Sequence, residues 1–181
     1  MPTDFSRFVV ISGCSGGGKS TLLCELHGRG HAVVEEQGRR VIAEQLAHGG
    51  TALPWIDVEA FARRAFEMAM DDLARCSHAD GWVFLDRGLI DAAAAIAHVA
   101  GERMDDLLRE AVKFHRRVFF APPWPEIYSM DAHRRHALPE AIEEFDRLVV
   151  AYRRLGYEID YLPRVAVGAR ADHVLDRLRG D

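Results

Sequence analysis

The chain has 181 residues, of which 49% are hydrophobic and 28% are charged, and its formal net charge is −5. This length predicts a single domain over residues 1–181, and the composition excludes wholesale disorder and fibrous classes. The negative charge argues against a general nucleic-acid coat, which normally needs a basic balance.

The predicted elements alternate between short apolar strands and longer amphipathic helices along the chain. In order, the strands are predicted at 8–11, 32–34, 82–85, 117–120 and 158–162. The helices are predicted at 19–28, 38–48, from Asp57 onward, 89–100, 104–115, 139–155 and 171–178. The helix that Asp57 begins has an apolar stripe formed by Val58, Phe61, Ala62, Ala65, Ala69 and Leu73. The stripe of the helix at 139–155 is Ile142, Phe145, Leu148, Val149, Tyr152 and Leu155. This alternation predicts an α/β fold, with a parallel sheet covered by helices on both faces.

A glycine-rich segment follows the first strand. Its residues match the pattern G-x-x-x-x-G-K-[ST], in which backbone N–H groups and a helix N-terminus surround phosphate oxygens. Lys19 is expected to reach the β- and γ-phosphates, Ser20 to ligate Mg²⁺, and Thr21 to contact the α-phosphate. The predicted nucleotide-binding residues are Gly13, Cys14, Ser15, Gly16, Gly17, Gly18, Lys19, Ser20 and Thr21.

The third strand ends in an aspartate, Asp86, after four apolar residues. This arrangement predicts a second Mg²⁺ ligand, since a buried strand that follows a phosphate loop commonly holds its carboxylate near the metal. Arg87 comes next and is predicted to grip a phosphate or carboxylate of a substrate. The alternative is that Asp86 merely ends a strand and that Arg87 is a solvated surface residue.

These motifs resemble those of the P-loop kinase superfamily of small-molecule phosphotransferases. Gly13, Gly16 and Gly18 match its narrower G-x-x-G-x-G-K spacing, and Asp86-Arg87-Gly88 matches its usual strand end. More closely, the chain resembles bacterial predicted ATPases labelled AAA-type ATP-binding proteins, which are related to the ribosylnicotinamide-kinase-like domain of NadR proteins. The stretches that carry this closer resemblance are 13–21, 33–42, 84–91 and 118–136.

The resemblance implies a three-layer fold with a five-stranded parallel sheet and a small mobile lid at about 124–138. Arg134 and Arg135 would be the phosphate clamps of this lid, although the same residues could form a solvated helix face. Glu36 or Glu35, after the second strand, would act as the base toward the acceptor hydroxyl. The alternative for the glutamates is a helix start stabilised by the helix dipole.

The acceptor is expected in a pocket formed by Glu36, Arg40, Arg87 and the helices around 57–75. Arg39 and Arg40, one turn after the glutamates, could either pair with them or bind the acceptor. The resulting functional expectation is a kinase that transfers the γ-phosphate of Mg·ATP to a nucleoside- or nucleotide-like small molecule. The Asn/Thr-Lys-x-Asp motif that reads guanine is absent from the sequence, which favours ATP over GTP. The competing expectation is a regulatory ATP-binding module, in which ATP orders 124–138 and changes a partner surface.

Cysteine usage and hydropathy bear on the compartment. The chain has three cysteines without a C-x-x-C pair, which indicates neither a disulfide framework nor a zinc site and favours a reducing cytoplasm. No apolar run reaches the about 20 residues that a membrane-spanning helix needs. Because the net charge is negative and no such run exists, neither a nucleic acid nor a membrane is expected as a partner.

Overall fold

The computed structural model describes residues 5–77, 79–108, 113–127 and 138–180. Its strands are β1 (Phe8–Gly13), β2 (Ala32–Val34), β3 (Val83–Asp86), β4 (Arg117–Ala121) and β5 (Glu158–Tyr161). Its helices are α1 (Lys19–Gly28), α2 (Gln37–His48), α3 (Val58–Cys76), α4 (Leu89–Ala100), α5 (Met104–Leu108), α6 (Leu138–Arg154) and α7 (Val167–Arg179), with a 3₁₀ turn at Pro125–Ile127.

The described strands form a single five-stranded sheet in the order β2-β3-β1-β4-β5, and every pairing is parallel. Central β1 is in register with both neighbours, so that Ile11 lies opposite Asp86 and Gly13 lies opposite Ala121. Because parallel strands end at the same edge, the residues that follow them meet there. The predicted three-layer α/β fold with a five-stranded parallel sheet is confirmed.

The two faces of the sheet bury separate apolar cores, as the alternation of β1 shows. Phe8 and Val10 pack on the face covered by α3, α4 and α6, whereas Val9 and Ile11 pack on the face covered by α1 and α7. All four side chains are fully buried. Each contributes about 1.5–3 kcal/mol of hydrophobic stabilisation, so β1 anchors the loop that follows it.

Local sequence signals set several boundaries as predicted. The bounds of α1 and β2 agree with the prediction, and the Asp57 side chain caps α3 by accepting a hydrogen bond from the Ala60 N–H at 2.9 Å. Two predicted stripe residues, Val58 and Ile142, are instead exposed at the ends of their helices. Helix α7 begins at Val167, which is four residues earlier than predicted.

The predicted helix at 104–115 is wrong at its C-terminal end. Helix α5 is described over Met104–Leu108, residues 109–112 lie outside the described residues, and Phe114 forms a parallel bridge with Phe5. His115 donates its backbone N–H to the Phe8 carbonyl at 3.0 Å. At Phe114 and His115, pairing with Phe5 and Phe8 therefore takes the place of the predicted helical hydrogen bonds. Across the described ranges, no helix combines the length and apolar character needed to cross a membrane.

Candidate functional site

The loop between β1 and α1 is folded around left-handed glycines. Gly13, Gly16 and Gly18 have φ values of 109°, 78° and 77°, which side chains rarely allow. The Cys14 N–H donates to the Ala121 carbonyl at 2.8 Å, so the loop is joined to the end of β4. A Cβ atom at Gly13 would lie 2.4 Å from the same carbonyl oxygen. The backbone can approach β4 this closely only without a side chain.

Lys19, Ser20 and Thr21 form the first turn of α1, directly after this loop. Lys19 is buried, and its Nζ donates to the Cys14 carbonyl at 2.9 Å across the loop. Burial lowers the pKa of Lys19, as does nearby Arg87, while Asp86 opposes this effect. The buried ammonium is therefore a concentrated positive charge beside the open N–H groups of a helix N-terminus, an arrangement that suits phosphate oxygens.

Asp86 lies at the end of β3, next to the start of α1. The Ser20 hydroxyl donates to Asp86 Oδ2 at 3.1 Å, whereas buried Oδ1 has no hydrogen-bond partner among the described residues. Burial raises the pKa of Asp86 from 3.8 to about 6, although Lys19 acts in the opposite direction. An unpartnered carboxylate oxygen beside a hydroxyl fits a hard divalent cation such as Mg²⁺, which prefers oxygen ligands.

A Mg²⁺ ion at this position would take only part of its ligands from the protein. The described part of the chain contains no group of three or more histidine, cysteine, aspartate or glutamate side chains that could hold a metal. Mg²⁺ typically uses one or two protein ligands together with water and substrate phosphates. Ser20 and Asp86 therefore suit an ion that arrives with a nucleotide.

Arg87 is buried and has an unusual backbone. Among the described residues it is the only non-glycine with a positive φ, 62°. Its guanidinium donates to both oxygens of Glu144, at 3.0 and 3.1 Å, and to the Gly13 carbonyl at 3.3 Å. Burial acts to lower the pKa of Arg87, but the carboxylates of Glu144, Glu36 and Asp91 outweigh burial and raise it. The alternative of a solvated surface arginine is therefore wrong.

The carboxylate of Asp91 lies next to Arg87 and accepts hydrogen bonds from two buried hydroxyl groups. The Tyr152 hydroxyl donates to Oδ2 at 2.6 Å, and the Ser12 hydroxyl donates to Oδ1. Arg87 Nη1 lies 3.7 Å from Oδ1. Burial raises the pKa of Asp91, and the Arg87 charge and the two hydroxyl donors lower it to a smaller extent. These hydrogen bonds connect β1, α4 and α6 next to Arg87.

A cavity of about 530 Å³ begins at the phosphate loop and extends between α2, α3, α4 and α6. Ser15 lines its loop end, while Glu36, Arg87 and Asp91 supply polar groups to its wall. Burial distinguishes the two candidate bases, because Glu36 is half-buried in this wall and Glu35 is exposed outside it. A cavity thus lies where the sequence predicted the acceptor pocket, and α3 forms part of its lining.

The predicted role of Arg40 in this pocket is wrong. Arg40 is not in the cavity lining and instead donates to both oxygens of buried Asp72 on α3, at 3.0 Å. Arg39 takes its place at the cavity and lies 3.3 Å from Glu36. The helical phase of α2 explains the exchange, since adjacent residues on a helix point about 100° apart.

Sequence reasoning missed several polar residues around the site. Arg170, in the first turn of α7, is buried and donates to the Gly18 carbonyl at 3.2 Å, and its guanidinium lies 5.5 Å from the centre of the Trp124 ring. Glu144 and Tyr152 had no local signal, because their partners lie on distant elements. The Arg87/Asp91 spacing of four residues was a usable signal for an ion pair.

The remaining predicted residues belong to the lid. Of the predicted lid, the structure describes Trp124 and the 3₁₀ turn at Pro125–Ile127, whereas 128–137 lie outside the described residues. The predicted clamps Arg134 and Arg135 fall in that range, and so does most of the predicted lid at 124–138.

The parallel sheet, glycine loop, buried Lys19 and strand-end Asp86 together form a P-loop NTPase fold. The sequence profile of a family described as "AAA domain" matches residues 8–170, and the chain belongs to this family. No curated protein matches the sequence.

Solved structures share the fold at low sequence identity. A NadR protein in complex with NR has a TM-score of 0.73 and 18% identity, over 97% of this chain and 51% of that one. The chain thus spans about half the length of that protein. A shikimate kinase from Acinetobacter baumannii in complex with shikimate has a TM-score of 0.59 and 16% identity, over 98% and 95% of the two chains. A deoxyadenosine kinase from M. mycoides with bound dATP has a TM-score of 0.54 and 12% identity, over 95% and 99%.

Proposed function

We propose that this protein is an ATP-dependent phosphotransferase that transfers the γ-phosphate of Mg·ATP to a hydroxyl of a nucleoside- or nucleotide-like small molecule. One observation carries the proposal: a single cavity joins the phosphate loop, at Ser15, to a half-buried carboxylate, Glu36, and to Arg87. A kinase needs both a phosphate donor site and an enclosed acceptor site that meet at the transferred group. A nucleotide switch has no need for the second site.

On the donor side, the loop from Gly13 to Gly18 holds the phosphates through its N–H groups. Lys19 balances the negative charge of the β- and γ-phosphates, and Ser20 and Asp86 would hold Mg²⁺. When bound, Mg²⁺ neutralises charge on the transferred phosphoryl group. The predicted contribution of Arg134 and Arg135 is further positive charge over the same group, which also excludes water.

On the acceptor side, Glu36 accepts the proton of the attacking hydroxyl. The acceptor oxygen forms a bond to the γ-phosphorus, the bond from that phosphorus to the β-bridging oxygen breaks, and ADP leaves. Arg87 Nε lies 3.4 Å from Glu36 Oε1, so the two side chains form an ion pair in the cavity lining. Glu36 is also the N-cap residue of α2, so its position is set by the start of that helix.

The test is the rate of ADP release from Mg·ATP, alone and with pooled nucleosides, nucleotides, sugars and amino-alcohols. Lys19→Ala is the inactive reference and should lower the acceptor-stimulated rate at least about 100-fold. Lys113→Ala is the matched control, because Lys113 is an exposed lysine away from the site. It should leave the rate unchanged.

Acceptor-stimulated ADP release that is lost only in Lys19→Ala supports the proposal, and mass spectrometry of the split pool then identifies the product. Slow release that no acceptor changes contradicts the proposal and favours the regulatory module. Equal nucleotide affinity in Lys19→Ala and the parent protein would instead refute the assignment of the phosphate loop.

A further inference from the structure

The cavity next to the phosphate loop contains a buried cation that is already neutralised. Arg87 is surrounded by three carboxylates, with its guanidinium 3.0 Å from Glu144, 3.4 Å from Glu36 and 3.7 Å from Asp91. The contact with Glu144 is bidentate, which is the strongest geometry for this pair. The sequence predicted that Arg87 grips a phosphate or carboxylate of a substrate, but the protein's own carboxylates occupy this role.

The other charged groups in the cavity lining do not restore a positive balance. Arg39 lies 3.3 Å from Glu36 and is paired with it. Arg147 lies on the exposed side of α6, together with the carboxylates of Glu140 and Glu143, which also line the cavity. Acidic side chains therefore outnumber arginines around the acceptor space.

Apolar side chains also line the cavity. They belong to α2, α3 and α4 and include Ile42, Phe61, Ala62, Ala65 and Val99. Such a lining suits a flat ring system, because aromatic and aliphatic surfaces bury such rings without requiring polar partners. The acceptor space thus combines apolar side chains, acidic side chains and a residue of the phosphate loop, Ser15.

We propose that the acceptor is a nucleoside-like alcohol without a phosphate or carboxylate group, and that Glu144 excludes anionic acceptors by keeping Arg87 neutralised. This inference rests on the proposed kinase function and selects the nucleoside class over the nucleotide class. An anion in the cavity would lie among the lining carboxylates of Glu36, Asp91 and Glu144. If Arg87 turned toward that anion, the Glu144 carboxylate would lose its partner, which adds to the cost of binding.

The test compares matched pairs of acceptors that differ in charge. Each common nucleoside is assayed with its own 3′- and 5′-monophosphates, so that a free ribose hydroxyl of either kind is available in one member. Shikimate is assayed with its uncharged methyl ester. The uncharged member of the preferred pair should have a kcat/KM about 100-fold higher, because like charges placed together in a site are strongly unfavourable.

The variant Glu144→Gln tests the role of this carboxylate. It removes one negative charge and releases part of Arg87, so the preference for the uncharged acceptor should fall about tenfold or more. The control is Asp146→Asn, which removes a charge from an exposed position on the same helix, outside the cavity lining. The ratio of two kcat/KM values in one preparation does not depend on how much of the variant is folded.

The outcomes separate the two proposals. A preference for phosphorylated or carboxylated acceptors in the parent protein overturns this inference and leaves the kinase function intact. An unchanged preference in Glu144→Gln overturns the role of Glu144. If no acceptor of either charge class raises ADP release above that of Lys19→Ala, the kinase function itself is refuted, and the acceptor class falls with it.

Discussion

The variant Asp86→Asn should make the nucleotide-free protein more stable while abolishing its response to Mg²⁺. Burial raises the pKa of Asp86 from an ordinary 3.8 to about 6, so the folded protein disfavours the ionised carboxylate. That difference corresponds to about 3 kcal/mol of destabilisation when the group is charged. Asparagine is neutral and nearly the same size, and it can still accept the hydrogen bond from Ser20.

The stabilisation should depend on pH in a defined direction. Below pH 3.8 the carboxyl group is neutral in both folded and unfolded protein, so its ionisation costs nothing. Between 3.8 and about 6 the unfolded chain loses its proton first, and the parent protein therefore loses stability as pH rises. Above about 6 the full cost of about 3 kcal/mol is present. The advantage of the variant should accordingly grow across this window and then remain constant.

The assay is urea unfolding without nucleotide at pH 4, 6 and 8, followed by thermal melts with and without Mg·ATP. At pH 8 the variant should gain up to about 3 kcal/mol, or about 6–12 °C in Tm for a chain of this size. Mg·ATP should raise the Tm of the parent protein more than that of Asp86→Asn. Asp146→Asn, at an exposed position, should match the parent in both measurements.

Three results would each refute part of this reasoning. A variant less stable than the parent at pH 8 would mean that the buried carboxylate is satisfied in the folded protein. A stability difference that does not change between pH 4 and 8 would mean that Asp86 does not titrate in this range. If the variant were as responsive to Mg·ATP as the parent, Asp86 would have no part in holding the metal.

Two further predictions concern the frame of the site, and urea unfolding measures both. Gly13→Ala should lower the free energy of unfolding by at least about 3 kcal/mol, because the new Cβ meets a β4 carbonyl oxygen at 2.4 Å and the φ of this residue is 109°. Its control is Gly28→Ala, whose Cβ meets nothing within 4 Å and which should raise the free energy of unfolding by up to about 1 kcal/mol. Tyr152→Phe should lose about 1–3 kcal/mol by removing a hydroxyl donor from buried Asp91, whereas exposed Tyr161→Phe should change little. A tolerated Gly13→Ala or a neutral Tyr152→Phe would contradict the described packing.

The parts of the site that could be predicted are those determined by neighbouring residues. The phosphate loop follows from glycine spacing between a buried strand and a helix, and the position of Asp86 follows from four apolar residues before it. The Asp57 cap is likewise a local signal, because the carboxylate needs only the N–H group three residues later. Each of these features depends on backbone conformation within a few residues.

The polar contacts that define the acceptor space depend on tertiary structure. Glu144 is 57 residues from Arg87 in the chain, and the sequence contains no pattern that pairs them. Arg39 and Arg40 are adjacent and chemically identical, so only the orientation of α2 decides which one faces the cavity. The end of the helix predicted at 104–115 also failed for a tertiary reason, since Phe114 pairs with Phe5.

Ala121, the last residue of β4, lies so close to Gly13 and Gly17 that it limits which side chains these two loop positions can carry. A Cβ at Gly13 would approach its carbonyl oxygen to 2.4 Å, and a Cβ at Gly17 would approach its methyl group to 2.9 Å. The constraint on Gly13 comes from the β4 backbone and holds for any residue at position 121, whereas Gly17 and Ala121 are coupled through their side-chain positions. Related sequences with a larger residue at the position of Ala121 should show compensating changes near Gly17 or in the path of β4. The glycine loop thus restricts which substitutions the neighbouring strand can accept.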